Sequence, residues 1–240
     1  MKQTEELIVI ALGGSIVVPH LSDDGGINID FLKSFRDFII YEIGKGKRFV
    51  LIVGGGKTTR IYNKSAAQVV PVSNEDLDWI GIHATRLNAH LLRTIFAKEA
   101  YPVIIDHDPS VREVAALRRK KTSLFLASGW KPGWSTDYVA VRLAQKFGAN
   151  TMLDAGDVPF VYDKDPKIHQ DAKPIRKISW AEYRKLIPSE WSPGMATPID
   201  PVASGLAQKT KLTVKMFKGT DLANFENAVE GKEFEGTVIQ

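Results

Sequence analysis

A chain of 240 residues, 44% hydrophobic and 25% charged, can bury a sizeable core as one large α/β domain or as two lobes sharing a sheet. It has no cysteine, which excludes a disulfide framework and thiolate chemistry and leaves oxygen and histidine as the ligands for any metal. The net charge of +4 suits an anionic ligand without demanding one. In chain order, an apolar run predicts a first strand at Leu7–Leu12. It is short and follows Glu5 and Glu6, unlike a secretory signal. A helix is expected at Asp30–Ile43, a strand at Phe49–Val53, and helices at Lys57–Val69 and Glu75–Lys98. Then come a strand at Val103–Ile105, a helix at Ser110–Lys120 and a strand at Leu124–Ala127. Helix Thr136–Phe147, strand Thr151–Leu153 and helices Trp180–Leu186 and Pro201–Lys209 follow. Strand Leu212–Phe217, helix Leu222–Glu230 and strand Gly236–Ile239 close the series. Ser73 with Asp76 and Ser179 with Glu182 read as helix starts, as does Asp108 before Pro109. Arg118-Arg119-Lys120-Lys121 reads as a solvated helix end rather than a nucleic-acid patch. No run approaches the roughly 18 apolar residues of a membrane span, so a cytoplasmic location is expected by default. The alternation implies a mainly parallel sheet with helices on both faces. Two connections, Ala127–Ser135 and Ala155–Ile178, are long enough to suggest function.

Three turns that leave a strand and open a helix could carry chemistry. The first is Gly13-Gly14-Ser15, whose backbone N–H groups could cradle an anion; a plain strand-ending turn explains it equally well. The second is Gly54-Gly55-Gly56-Lys57-Thr58-Thr59-Arg60. It is not a P-loop, because Leu51 stands where GxxxxGK[ST] needs glycine, and it lacks the Rossmann spacing. It still offers bare N–H groups at the positive end of a helix, with Lys57 and Arg60 on the same turn, and so reads as an anion site. The third runs from Ala127 to Asp137. Ser135 and Thr136 can cap the next helix and Asp137 suits its dipole. Alternatively, Ser135 and Thr136 hold a phosphate while Asp137 organises Mg²⁺ or the side chains that bind phosphate. Asp78, Gly81, Thr85 and Asn88 share one face of a helix. That stripe is either solvent-exposed or lines a pocket in which Asp78 accepts hydrogen bonds from a ribose; Leu77, Ile80, Ala84, Leu87 and Leu91 are expected to face the core. The five histidines show no metal-ligand spacing, and His107 reads as a surface residue.

Turns of this kind on one parallel sheet converge at the strand C-termini, where several phosphates could sit together. Phosphoryl transfer suits such a site, because it needs positioning and charge neutralisation more than a nucleophile. The residues alone therefore suggest a kinase with a multi-phosphate site.

Seven segments in order carry a resemblance: LGGSIVVP (Leu12–Pro19), VGGGKTTR (Val53–Arg60), DWIGIHATRLNAHLL (Asp78–Leu92), SGWKPGWSTD (Ser128–Asp137), VYDKDP (Val161–Pro166), IDPVAS (Ile199–Ser204) and EGTVI (Glu235–Ile239). Together they resemble the amino acid kinase superfamily and, within it, the uridylate kinases of the archaeal-type branch. The resemblance implies a three-layer αβα sandwich with a mainly parallel central sheet, as a single domain over residues 1–240. Its acceptor-binding half spans about 1–150 and its ATP-binding half about 151–240. It implies transfer of the ATP γ-phosphoryl group to UMP with Mg²⁺ held through the nucleotide phosphates, and a homohexamer. Carried onto this chain, Gly14, Ser15, Gly56, Arg60, Asp157, Tyr162 and Asp165 would bind ATP. Gly55 and Asp78 would bind UMP, as would Gly129, Trp130, Lys131, Pro132, Gly133, Trp134, Ser135 and Thr136. Asp137, Lys57 and Arg60 would serve catalysis. Two positions depart from the family pattern. Ala11 stands where many members carry lysine, and Lys57 could supply a charge in its place. Pro159-Phe160 replaces a tight Asp-Gly turn, and phenylalanine resists positive φ. These departures keep two alternatives open: a superfamily kinase acting on another phosphorylated acceptor such as isopentenyl phosphate, and a non-catalytic nucleotide- or oxyanion-binding member.

Overall fold

Buried β-branched runs place seven strands in one sheet in the computed structural model, which describes residues 7–20, 26–166, 168–191, 195 and 197–240. The elements are β1 (Leu7–Leu12), α1 (Gly14–Val17), α2 (Ile29–Gly44), β2 (Arg48–Val53), α3 (Gly56–Val69), α4 (Asn74–Ile95), α5 (Val111–Arg118), β3 (Leu124–Ala127) and α6 (Thr136–Phe147). After them come β4 (Thr151–Gly156), β5 (Val161–Tyr162), β6 (Pro174–Ile175), β7 (Lys177–Ile178), α7 (Trp180–Leu186), α8 (Pro201–Thr210), β8 (Thr213–Lys218), α9 (Leu222–Val229) and β9 (Thr237–Ile239). The sheet order is β3-β2-β1-β4-β8-β9-β7. The first five strands run parallel, β9 is antiparallel to β8, and β7 follows β9.

Alternate residues of the central strands feed two cores, one on each face, which makes the three layers. Val9, Val50, Phe125 and Met152 meet Val139, Leu143 and Phe147 of α6 on one side. Ile8, Ile10, Leu51 and Leu153 meet Phe35 of α2, Leu92 of α4 and Phe225 of α9 on the other. No helix among the described residues is long and apolar enough to cross a membrane.

The structure corrects several sequence expectations. Val103–Ile105 is no strand: only Ile105 bridges to β3, opposite Ala127, and Val103 is exposed. Pro102 before it cannot donate to a ladder. Asp108 does not start α5. Ser110 caps that helix in a reciprocal box with Glu113, while Asp108 pairs with Arg142 and Lys146 of α6. The starts at Ser73 and Ser179 stand as expected. The expected core face of α4 holds at Ala84, which is buried, and fails at Leu87. Thr85 and Asn88 are buried with Ile82, Ala89 and Leu92, whereas Leu87 is 65% exposed. The short helix α1 and the β5–β6 hairpin, which lies inside the long Ala155–Ile178 connection, had no sequence prediction. Within that connection Lys167 lies outside the described residues.

Candidate active site

The strand order reverses beside β1, with β2 and β3 on one side and β4 and β8 on the other. A doubly wound sheet opens its ligand crevice there, at the strand C-termini. The first two glycine turns meet at that point. Gly13 N–H donates to Ala155 O at 2.8 Å and Gly54 N–H to Leu12 O at 3.0 Å. A Cβ added at Gly14 would collide with the Gly54 carbonyl and the Gly56 nitrogen; one at Gly56, where φ is +65°, would collide with the Gly14 carbonyl. Glycine is required here because two backbones touch.

The inward stripe of α4 explains itself in the same terms. Asn88 Nδ2 donates to Gly54 O (2.8 Å), Thr85 Oγ1 accepts from Gly129 N–H (2.8 Å), and Asp78 Oδ2 accepts from Gly133 N–H (2.8 Å). One helix thus fixes the β2 turn and both ends of the loop after β3. Burial raises the Asp78 pKa, with the Gly133 bond opposing the shift.

These parts enclose a cavity of about 220 Å³. Gly55, Thr59 and Asn63 of the α3 side line it with Asp78, Gly81, Ile82 and Thr85 of α4. Gly129, Trp134, Ser135, Thr136 and Asp137 form the opposite wall, and Trp191, Met195, Thr197 and Asp200 complete it. Ser135 caps α6 by accepting from Tyr138 N–H at 2.9 Å, and its hydroxyl donates to Asp200. The residues that cap α6 also line the cavity, so the capping reading of this segment holds and its residues stand at the cavity wall. Trp130 is buried and donates its indole N–H to Ile105 O; its ring belongs to the core. Trp134 faces the cavity, with the Lys131 ammonium 4.2 Å from its ring centroid. Lys57 is half-buried and Arg60 exposed. Both start α3 beside the glycine contact, off the stripe that lines the cavity.

The remaining predicted residues lie across β1 from this cavity. Ser15 Oγ donates to Asp157 after β4. Tyr162 sits in β5 with Phe160 packed edge-on (6.3 Å, 84°). Lys211 is the single non-glycine residue with positive φ among those described, so Phe160 negotiates its turn without that strain. Asp165 anchors the next turn, its carbonyl accepting from His169 N–H at 2.9 Å. His107 lies on the surface between Asp106 and Glu113, which raise its pKa.

Sequence reasoning missed the carboxylates behind Asp137. Asp200 caps α8, accepting from Val202 and Ala203 N–H, and is 4% exposed. Asp154 is 7% exposed on β4, in register with Ala11 of β1, so the position without the family's lysine pairs with a buried acid. Desolvation pushes Asp154 up to about 7. Burial, then repulsion from Asp154 and Asp200, raises Asp137 well above the usual carboxylate range. The signals were present: an acid inside an apolar strand, and Asp-Pro before an apolar helix.

A pH dependence follows. Asp154 has its native pKa above the unfolded value, so the native state holds more protons between about pH 4 and pH 7. The stability it contributes is complete below the unfolded pKa and is lost as pH rises through the native one. Asp154→Asn, melted in urea without divalent cations, is expected to match the parent near pH 4 and exceed it by roughly 2 kcal/mol or more at pH 8. A gap that does not widen with pH contradicts this assignment.

Among the described residues, one group of acids is close enough to share a metal: Glu42, Glu226 and Glu230. Lys45 already sits there, 2.6 Å from Glu42, 3.6 Å from Glu226 and bonded to Glu230. The protein's own ammonium fills that position.

Residues 6–218 match the profile described as Amino acid kinase family. The uridylate kinase of Thermoplasma volcanium is 34% identical over 236 residues, covering 98% of each chain. That of Thermococcus onnurineus is 31% identical over 235 residues, covering 97% of this chain and 99% of the other. The crystal structure of uridylate kinase from Archaeoglobus fulgidus superposes with a TM-score of 0.78 at 30% identity, covering 98% of this chain and all of that one. Glycine turns in backbone contact at a sheet reversal, with such likeness along nearly the whole length, place this chain in the amino acid kinase family.

Proposed function

We propose that this chain is an ATP-dependent UMP kinase, transferring the γ-phosphoryl group of ATP to the phosphate of UMP to give UDP and ADP. The observation that carries the reading is the single cavity in which the β2 glycine turn, the α4 stripe and Ser135–Asp137 meet. Gly55 and Ser135 bring the N-termini of α3 and α6 to it, and Trp134 and Trp191 bring aromatic rings, as a nucleoside monophosphate requires. Gly55, Asp78 and Gly129–Thr136 would take the acceptor, with Trp130 supporting that loop from the core. Gly14, Ser15, Gly56, Arg60, Asp157, Tyr162 and Asp165 would take ATP. Lys57 and Arg60 would neutralise phosphate charge from the first turn of α3.

Mg²⁺, a hard cation, suits a carboxylate such as Asp137 together with nucleotide phosphate oxygens. Asp137 would meet the ion together with the nucleotide phosphates, and the ion would supply charge neutralisation during transfer. Asp137, kept from ionising easily by burial and then by Asp154 and Asp200, would become a ready partner for that positive charge.

A second reading, a nucleotide-binding member without activity, is favoured by one observation: Ala11 faces an acid, Asp154, and no lysine. Both are decided by ADP release with Mg²⁺, ATP and each of UMP, CMP, AMP and isopentenyl phosphate. The expected result is highest turnover with UMP. ATP or UTP binding without turnover of any acceptor supports the second reading instead. A cytoplasmic homohexamer is part of the same proposal. The outward apolar residues Tyr62, Trp79 and Leu87 on α3 and α4 support self-association, and light scattering on the purified protein checks it.

A further inference from the structure

Three polar atoms of the cavity have no partner. Thr59 Oγ1, Asn63 Oδ1 and Thr197 Oγ1 are shielded from water and make no hydrogen bond. Buried polar groups are nearly always satisfied, so three on one cavity mark places where a ligand completes the bonding. Two of them follow Gly55 at four-residue spacing, so Gly55, Thr59 and Asn63 form one stripe along the wall. The stripe begins where Gly55 packs against Ala84 and under the Thr59 hydroxyl. It ends two turns later, about 12 Å along the helix, where Asn63 shares the cavity with Leu77, Asp78 and Trp134. Gly55 caps the start of α3, where helix N–H groups suit phosphate. The Asn63 end offers an aliphatic side chain, an indole and one amide with an unmatched acceptor.

The geometry points to Asn63 as the residue that reads the hydrogen-bonding edge of a pyrimidine base, with Thr59 bonding nearer the phosphate; this rests on the UMP-kinase reading above. A carboxamide presents one acceptor beside one donor. The N3–H and neighbouring carbonyl of uracil present the complementary pair. Because Asn63 Oδ1 is itself shielded from water, a base that cannot supply the donor leaves it unpaired and is rejected. A flipped amide answers the ring nitrogen and amino group of cytosine equally well. Asn63 therefore selects a pyrimidine with a free edge, and does not itself separate uracil from cytosine.

The test compares UMP with 3-methyluridine 5′-monophosphate, which keeps the ribose and phosphate but blocks N3. Affinities from calorimetry and kcat/KM are measured for the parent, Asn63→Leu and Thr59→Val. The parent is expected to prefer UMP by about 100-fold or more. Asn63→Leu brings that ratio to within about threefold, chiefly by losing UMP affinity. Thr59→Val weakens both nucleotides together and keeps the ratio. If Asn63→Leu does not fold, Asn63→Ala carries the same comparison. A parent that takes the methylated nucleotide as well as UMP, or an Asn63 variant that keeps the parent's ratio, overturns the assignment. A parent that neither binds nor phosphorylates UMP overturns the kinase reading itself, which is a separate result.

Discussion

Asp137→Asn is expected to cut kcat by about 100- to 10,000-fold while leaving thermal stability equal to or above that of the parent. The charge of this carboxylate is what phosphoryl transfer would use, through the metal and the cationic groups around the phosphates. Asparagine has the same shape and leaves the Ser135 cap of α6 intact. It also removes a carboxylate whose pKa is raised by desolvation and then by repulsion from the buried Asp154 and Asp200. Kinetics and calorimetric melts of both proteins check the two halves together. A melting temperature that falls in step with activity assigns Asp137 to structure alone.

Gly14→Ala should do comparable damage by a different route. The added methyl points into the backbone of Gly54 and Gly56, which cannot rotate away as a side chain could. The two glycine turns must part, and the proposed phosphate cradle with them. The expected outcome is a loss of at least about 100-fold in kcat/KM and about 2–4 kcal/mol of stability. Gly44→Ala serves as the control. It lies at the end of α2 with no atom within 4 Å of the added methyl, so it is expected to be neutral or to stabilise by up to about 1 kcal/mol. Equal melts and equal activity for the two variants would refute the argument.

Much of this architecture was legible in the residues. Strands covered on both faces read as unbroken apolar runs, and Leu7–Leu12 and Phe49–Val53 did so. Ser135 and Ser179 announced their helices through local capping chemistry. Failures arose where tertiary context decides. The helix α4 carries apolar residues on two sides, and periodicity alone chose the side holding Leu87. The inner side is semi-polar because Thr85 and Asn88 bond to glycine backbones remote in sequence, which no window of α4 can reveal. Asp154 was passed over because an acid in an apolar strand has no local partner to suggest its role. Asn63 was equally silent: a polar residue on a helix looks solvated until another helix and a loop close over it.

The bonds from Asp78, Thr85 and Asn88 divide the labour between the two helices of the cavity. Because α4 grips main chain, it sets where the loops stand whatever side chains they bear. Because α3 presents side chains to open volume, its residues can change without moving those loops. Under the proposed assignment, substrate preference can therefore drift through positions such as Thr59 and Asn63 while the glycine turns stay put. A lineage built this way can acquire new acceptors by small steps, without passing through intermediates that fail to fold.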